Sequence, residues 1–184
     1  MSSFFAHGLV GVGLGARMSW LWRLAIVFFA CLPDIEYLPY WFFGIELQPR
    51  WTHSTGFVVA VWMLTIAALR ACRITTPKRL EALLLLASFS HLLMDYAVGV
   101  HPNPIFAPFS TEVFSSPVGI LPSAGALDPT NYYLWRNLII EAGILGPLLW
   151  LGYNGLRGQG GPLRIVIALA VALPFLIWSL SLGR

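Results

Sequence analysis

Six apolar stretches, at about residues 3 to 16, 19 to 32, 51 to 71, 80 to 97, 134 to 156 and 163 to 182, leave this chain of 184 residues few ways to fold. A helix that spans a bilayer needs about 20 apolar residues, or fewer where the bilayer thins. The chain is 58% hydrophobic and only 10% charged, which leaves too little polar surface to cover a soluble domain. The pattern predicts an all-α, polytopic membrane helix bundle of about five to six membrane segments, built as one integral membrane domain over residues 1–184. The opening MSSFFAHGLVGVGLGA lacks the basic region of a secretory signal and is expected to remain in the mature protein.

Charge sets the expected orientation. The turn Cys72-Arg73-Ile74-Thr75-Thr76-Pro77-Lys78-Arg79 and the glycine-rich turn from Arg157 to Arg164 are both basic and predict cytoplasmic loops. Alternation then places Arg17, Arg23 and Arg70 inside as well, leaving Arg50, Arg136 and Arg184 outside. Seven acids (Asp34, Glu36, Glu46, Asp95, Glu112, Asp128, Glu141) fall outside, and Glu81 alone lies inside. Basic residues scattered at segment ends form no stripe that tracks phosphates, so the net charge of +3 does not point to nucleic acid. The connection from 98 to 133 crosses the extracytoplasmic face. Its many prolines and glycines predict ordered turns that act as a lid. Nothing in the sequence specifies an oligomeric state.

Ionisable side chains at a membrane boundary are costly unless they serve a site. His7, Asp34, His53, His91 and Asp95 all fall at the outer ends of their segments, which predicts a shared metal centre. His91 and Asp95 are four residues apart, so a helix presents both on one face; polar pairing between helices is the bland alternative. For His7 that alternative is packing among small residues, and for Asp34, which follows Pro33, it is a turn or helix cap. Glu36 is a further ligand candidate. Thr52 or Ser54 caps the third segment while His53 points into the site, and both stand as supports behind the ligands.

Arg50 suits a substrate phosphate as well as it suits a snorkelling interfacial role. His101, in the lid, is a candidate ligand or general acid beside the simpler reading of a loop histidine. Glu141, about two turns into the fifth segment, is expected either behind a ligand histidine or paired with Arg136. Nitrogen and oxygen donors without thiolate favour Zn²⁺, with Mn²⁺ or Fe²⁺ as alternatives, as one or two ions. Cys31 and Cys72 fall on opposite faces and do not form a disulfide. No Gly-x-Ser-x-Gly or phosphate-cradling glycine loop with lysine occurs, so serine hydrolase and nucleotide readings drop out.

The elements His7-Gly8, Leu32-Pro33-Asp34-Ile35-Glu36, Arg50-Trp51-Thr52-His53-Ser54 and His91-Leu92-Leu93-Met94-Asp95 occur in this order. Over roughly residues 5 to 155 the chain thereby resembles YdjM-type inner-membrane metal-dependent hydrolases, a family distantly similar to the zinc-dependent phospholipase C and single-strand nuclease group. Pro108-Phe109-Ser110 resembles the segment that follows in the family, whereas Glu36 departs from the aspartate of many relatives. The resemblance implies metal-assisted hydrolysis of a phosphoester, in which Asp34 or Asp95 bridges two ions, with Arg50 and His101 as further candidates for the chemistry. The expected substrate is a lipid or lipid-linked phosphoester reaching a site on the outer face of the inner (cytoplasmic) membrane. Alternatives are a lipid amide or ester hydrolase, a metal or proton pathway, and a non-enzymatic metal-stabilised membrane protein. The orientation is checked by thiol labelling in sealed vesicles: Cys72 is expected to react only from the cytoplasmic side, and labelling from outside overturns it.

Overall fold

A computed structural model describes residues 4–98, 102–116, 119–120 and 128–182. Each expected apolar stretch is a helix: α1 (Phe4–Leu14), α2 (Trp20–Cys31), α4 (Thr55–Ala71), α5 (Lys78–Val98), α6 (Tyr132–Leu156) and α7 (Pro162–Ser181). The all-α class holds. The connection between α2 and α4 contains an unexpected short helix, α3 (Tyr37–Phe43), flanked by 3-10 turns at Leu32–Glu36 and Trp51–His53. Gly44 closes α3 in the left-handed region, at φ 66°, where a Cβ would be strained.

Among the described residues, two helices, Tyr132–Gly155 within α6 and Pro162–Ser181, are long and apolar enough to cross a membrane. With 11 and 12 residues, α1 and α2 reach only about 17 Å at 1.5 Å per residue, against a hydrocarbon core of about 30 Å. α5 has the length, at 21 residues, but carries Lys78, Arg79, Glu81, His91 and Asp95.

α1 lies against α2, α2 against α5, and α4 against α5; α1 also touches α5 and α6, and α6 pairs with α7. The core between α2 and α5 is built from Ile26, Phe29, Ala30, Leu80, Leu84 and Ala87, with Trp22, Val61 and Trp62 packed around it. Burial of such side chains is worth roughly 1.5–3 kcal/mol each for the larger ones, so this seam fixes α2 relative to α5. The Trp62 indole N–H donates to the Glu81 carbonyl at 2.8 Å and ties α4 to the same helix. Arg23 donates to the carbonyls of Gly15 (3.3 Å) and Ala16 (3.2 Å), just past the end of α1, and so closes the α1–α2 turn.

α1 and α2 approach closely at Gly11, where a Cβ would stand 2.7 Å from the Val27 backbone, while a Cβ at Gly8 would meet nothing within 4 Å. Gly11→Ala is therefore expected to lower stability by about 1–3 kcal/mol through overpacking. Gly8→Ala should be neutral or slightly stabilising. Denaturant unfolding of the two purified variants, compared with wild type, measures the difference.

Candidate metal centre

One stripe of α5 carries both the core and the site. Leu80, Leu84, Ala87, Ser88, His91 and Asp95 recur at three- and four-residue intervals, and all are at most 2% exposed. The first three meet the apolar face of α2. Ser88 then donates to the Phe29 carbonyl at 3.0 Å, and His91 contacts the Ala30 carbonyl through Nδ1 at 2.7 Å. A carbonyl only accepts, so Nδ1 carries a proton, which leaves Nε2 as the ring nitrogen that could bind a metal.

α2 stops at Cys31, and the chain tightens into a 3-10 turn with Pro33 in its first positions, which turns Asp34 and Glu36 inward. Asp34 does not cap this turn: both its carboxylate oxygens are buried, and Oδ1 lies toward His53 and His91. The second 3-10 turn places His53 beside it. His53 Nδ1 lies 3.1 Å from Glu36 Oε1, a carboxylate that accepts, so Nδ1 carries a proton and Nε2 is the nitrogen directed at the other side chains of the group. Ser54, not Thr52, caps α4: its Oγ accepts from the Phe57 amide at 3.2 Å and donates to the Trp51 carbonyl at 2.7 Å.

Four buried side chains, Asp34, His53, His91 and Asp95, thus bring ligand atoms within 4.8 Å of one another. The two Nε2 atoms are 3.3 Å apart. Asp34 Oδ1 lies 3.4 and 3.5 Å from them, and Asp95 Oδ2 3.2 and 3.6 Å. Donors on a tetrahedron with bonds of about 2.0–2.1 Å stand roughly 3.3–3.4 Å apart, so the spacing suits a small divalent ion. Two buried carboxylates brought together also favour positive charge among them. The donor set therefore fits a metal, and the group can bind one.

Around the four stands a ring of partners. His7 Nε2 is 3.3 Å from the other oxygen of Asp95, and its ring stacks on His91 at 3.6 Å between centroids. Thr52 Oγ1 donates to Glu36 Oε2 at 2.5 Å. Arg50 donates through Nε to Glu36 Oε1 (2.5 Å), through Nη1 to Asn103 Oδ1 (3.2 Å) and through Nη2 to the Tyr37 hydroxyl (2.5 Å); Nη2 also lies 3.0 Å from His53 Nε2. Burial alone would raise the Asp34 and Glu36 carboxyls, but nearby His53, joined by His91 for Asp34 and by Thr52 and Arg50 for Glu36, holds both below the usual range. Burial pushes the Tyr37 hydroxyl up, so it stays protonated.

The segment 102–116 is ordered, joined to itself by an antiparallel bridge between Asn103 and Phe114. It docks on α4, whose first amides lack helical partners: Thr55 N–H donates to the Ile105 carbonyl (2.8 Å) and Gly56 N–H to that of Ala107 (3.0 Å). A Cβ at Gly56 would sit 2.5 Å from the Ala107 carbonyl oxygen, so only glycine admits this contact.

Of the residues expected at the site, Asp34, His53, His91 and Asp95 come together as the ligand group. Glu36 is not among them; it lies behind His53, because its carboxylate is taken by Arg50, Thr52 and Nδ1 of His53. His7 lies behind Asp95 rather than within the four. Thr52 supports as expected, whereas Ser54 serves the helix end. Arg50 is buried and engaged on four sides, so it joins the 3-10 turns to the 102–116 segment instead of facing open solvent. Glu141 is buried in α6 beside Ile140 and outside the four. His101 lies outside the described residues. Sequence reasoning does not find Tyr37 or Asn103, since no local pattern marks either as part of the site.

Ser54→Ala is expected to cost about 1 kcal/mol through the lost cap, whereas Arg50→Met, which strands the Glu36 carboxylate, should cost about 3–5 kcal/mol. Unfolding midpoints with unchanged slopes check both. No family model matches this chain, and neither curated proteins nor solved structures include a match to it.

Proposed function

We propose that this protein is a membrane-embedded, metal-dependent hydrolase of the inner membrane, cleaving a phosphoester of a lipid or lipid-linked substrate at the outer face. The observation that carries the reading is the pair of imidazole Nε2 atoms 3.3 Å apart among two buried carboxylates, with a hydrogen-bond acceptor on Nδ1 of each ring. Asp34, His53, His91 and Asp95 hold the ion, Zn²⁺ by donor type, with Mn²⁺ or Fe²⁺ as alternatives. Such an ion supplies Lewis-acid polarisation of a phosphoryl oxygen and a water of lowered pKa.

The chain's own groups do the rest. Ala30 and Glu36 hold the tautomers of His91 and His53. His7 orients Asp95. Asp34 adds a second carboxylate charge to the group that would hold the ion. Arg50 keeps a positive charge beside the centre, neutralised in part by Glu36. The lipid substrate is supported by the apolar exterior: Leu163, Val166, Leu169, Leu173 and Ile177 are all exposed along α7, and Phe106 and Phe109 are exposed on the segment over the site. In this reading α6 and α7 cross the bilayer, the shorter helices enter it as a bundle in the six-segment arrangement, and the 102–116 segment covers the outer face.

A second reading has one observation in its favour. The four ligand side chains are at most 2% exposed, as in closed sites where an ion only ties helices together. Amide or ester cleavage would use the same chemistry on another bond.

Elemental analysis of purified protein is the test. Wild type is expected to hold near-stoichiometric metal that is lost in folded His53→Ala and Asp95→Ala variants, and Glu36→Gln should weaken metal affinity about 10- to 100-fold while the helices persist. Metal-loaded protein should then release phosphate or headgroup from phospholipid vesicles. Acyl release would move the reading to an ester or amide; bound metal with no hydrolysis would favour the structural role. Absence of metal in every sample, even after reconstitution, would sink both.

A further inference from the structure

The opposite end of the bundle holds a cavity of about 400 Å³ that the metal chemistry does not use. Gly13, Leu14, Ala16 and Arg17 line it from α1 and the turn that follows, Arg79 from the start of α5, and Tyr153 and Arg157 from the end of α6. Arg79 and His91 are twelve residues apart on α5, about 18 Å along the axis, so this cavity is separate from the metal centre.

We infer that the cavity binds the phosphate of an anionic glycerophospholipid headgroup. Three arginines reach it from three separate parts of the chain, and no acidic side chain is among the described residues that line it. Glu81, the one acid of the neighbouring turn, is directed elsewhere, to Thr76 at 2.7 Å and Arg70 at 3.4 Å. Like charges drawn to one cavity repel, and a bound anion offsets that cost. Guanidinium groups match phosphate oxygens in pairs, and Tyr153, whose hydroxyl lies 3.2 Å from Arg157 Nη1, adds a polar group at the rim. The volume exceeds by more than tenfold the ~30 Å³ that a water molecule occupies in the liquid, so it admits more than a bare phosphate. Gly13, Leu14 and Ala16 offer an apolar wall suited to the glycerol and first acyl carbons. Basic pockets between membrane helices on the positively flanked side take anionic headgroups in this way. The lipid as source rests on the membrane reading above; the anion site does not depend on the metal reading.

The experiment is a thermal-unfolding titration of the full chain in neutral detergent, with phosphatidylglycerol, phosphatidylcholine or inorganic phosphate as the added probe. Phosphatidylglycerol is expected to raise Tm by several degrees where phosphatidylcholine does not. Arg157→Gln and the pair Arg79→Gln with Arg157→Gln should weaken the apparent affinity about tenfold or more. Metal content should be unchanged in these variants, which separates this result from the hydrolase test and controls for folding. Arg157 is exposed at a helix end, so its variant remains informative if Arg79→Gln disturbs the start of α5. Equal response to the two lipids, an undiminished response in the variants, or full reproduction of the shift by inorganic phosphate alone would each overturn the proposal.

Discussion

An ionisable side chain buried in an apolar helix bundle must be compensated where it stands, because no water reaches it there. His91 answers this through the Ala30 carbonyl at 2.7 Å, and much of the structure depends on that contact. It requires α2 to lie beside α5 in one register, which the apolar seam of Ile26, Phe29, Leu80 and Leu84 provides. The same register aims the other ring nitrogen at His53. Packing thus sets protonation, and protonation sets which atoms can bind a cation.

The second organising element is the Arg50 guanidinium. A buried ion pair seldom adds net stability over apolar packing, so its value lies in specificity. Its rigid fork holds Glu36 and Tyr37 of the first turn region, His53 of the second, and Asn103 of the following segment in one arrangement. Through it, the chain over the site is tied to the carboxylate that orients a ligand histidine. The position of that segment and the orientation of His53 are thereby set by one side chain.

Charge divides the molecule along the helices. At one end, carboxylates and imidazoles converge and call for a cation; at the other, Arg17, Arg79 and Arg157 line a cavity and call for an anion. α1 and α5 contribute to both, so the two ends share a rigid frame without sharing chemistry. The close packing of α1 on α2 at Gly11 lies between them.

By itself the sequence determined the helices, because uninterrupted apolar runs bounded by proline, glycine and basic turns have few other solutions. It also determined which residue types carry the chemistry: an i,i+4 His91–Asp95 pair on one helix face is legible from spacing alone, and Asp34 and His53 stand out as polar groups at the edges of apolar runs. The sequence leaves α3 hidden, since Tyr37 to Phe43 is a short apolar and aromatic run that contains Pro39, a pattern that a connection shares. Only the tertiary structure decided the roles within the site. Whether Glu36 binds a metal or orients His53, whether His7 is a ligand or a neighbour of Asp95, and whether Thr52 or Ser54 caps α4 depend on distances of a few tenths of an ångström between segments far apart in the chain. Asn103 and Tyr37 enter the site through contacts with Arg50 that no local pattern encodes. The physical reason is that periodicity reports the face a residue occupies, whereas coordination and hydrogen bonding depend on which other faces it meets.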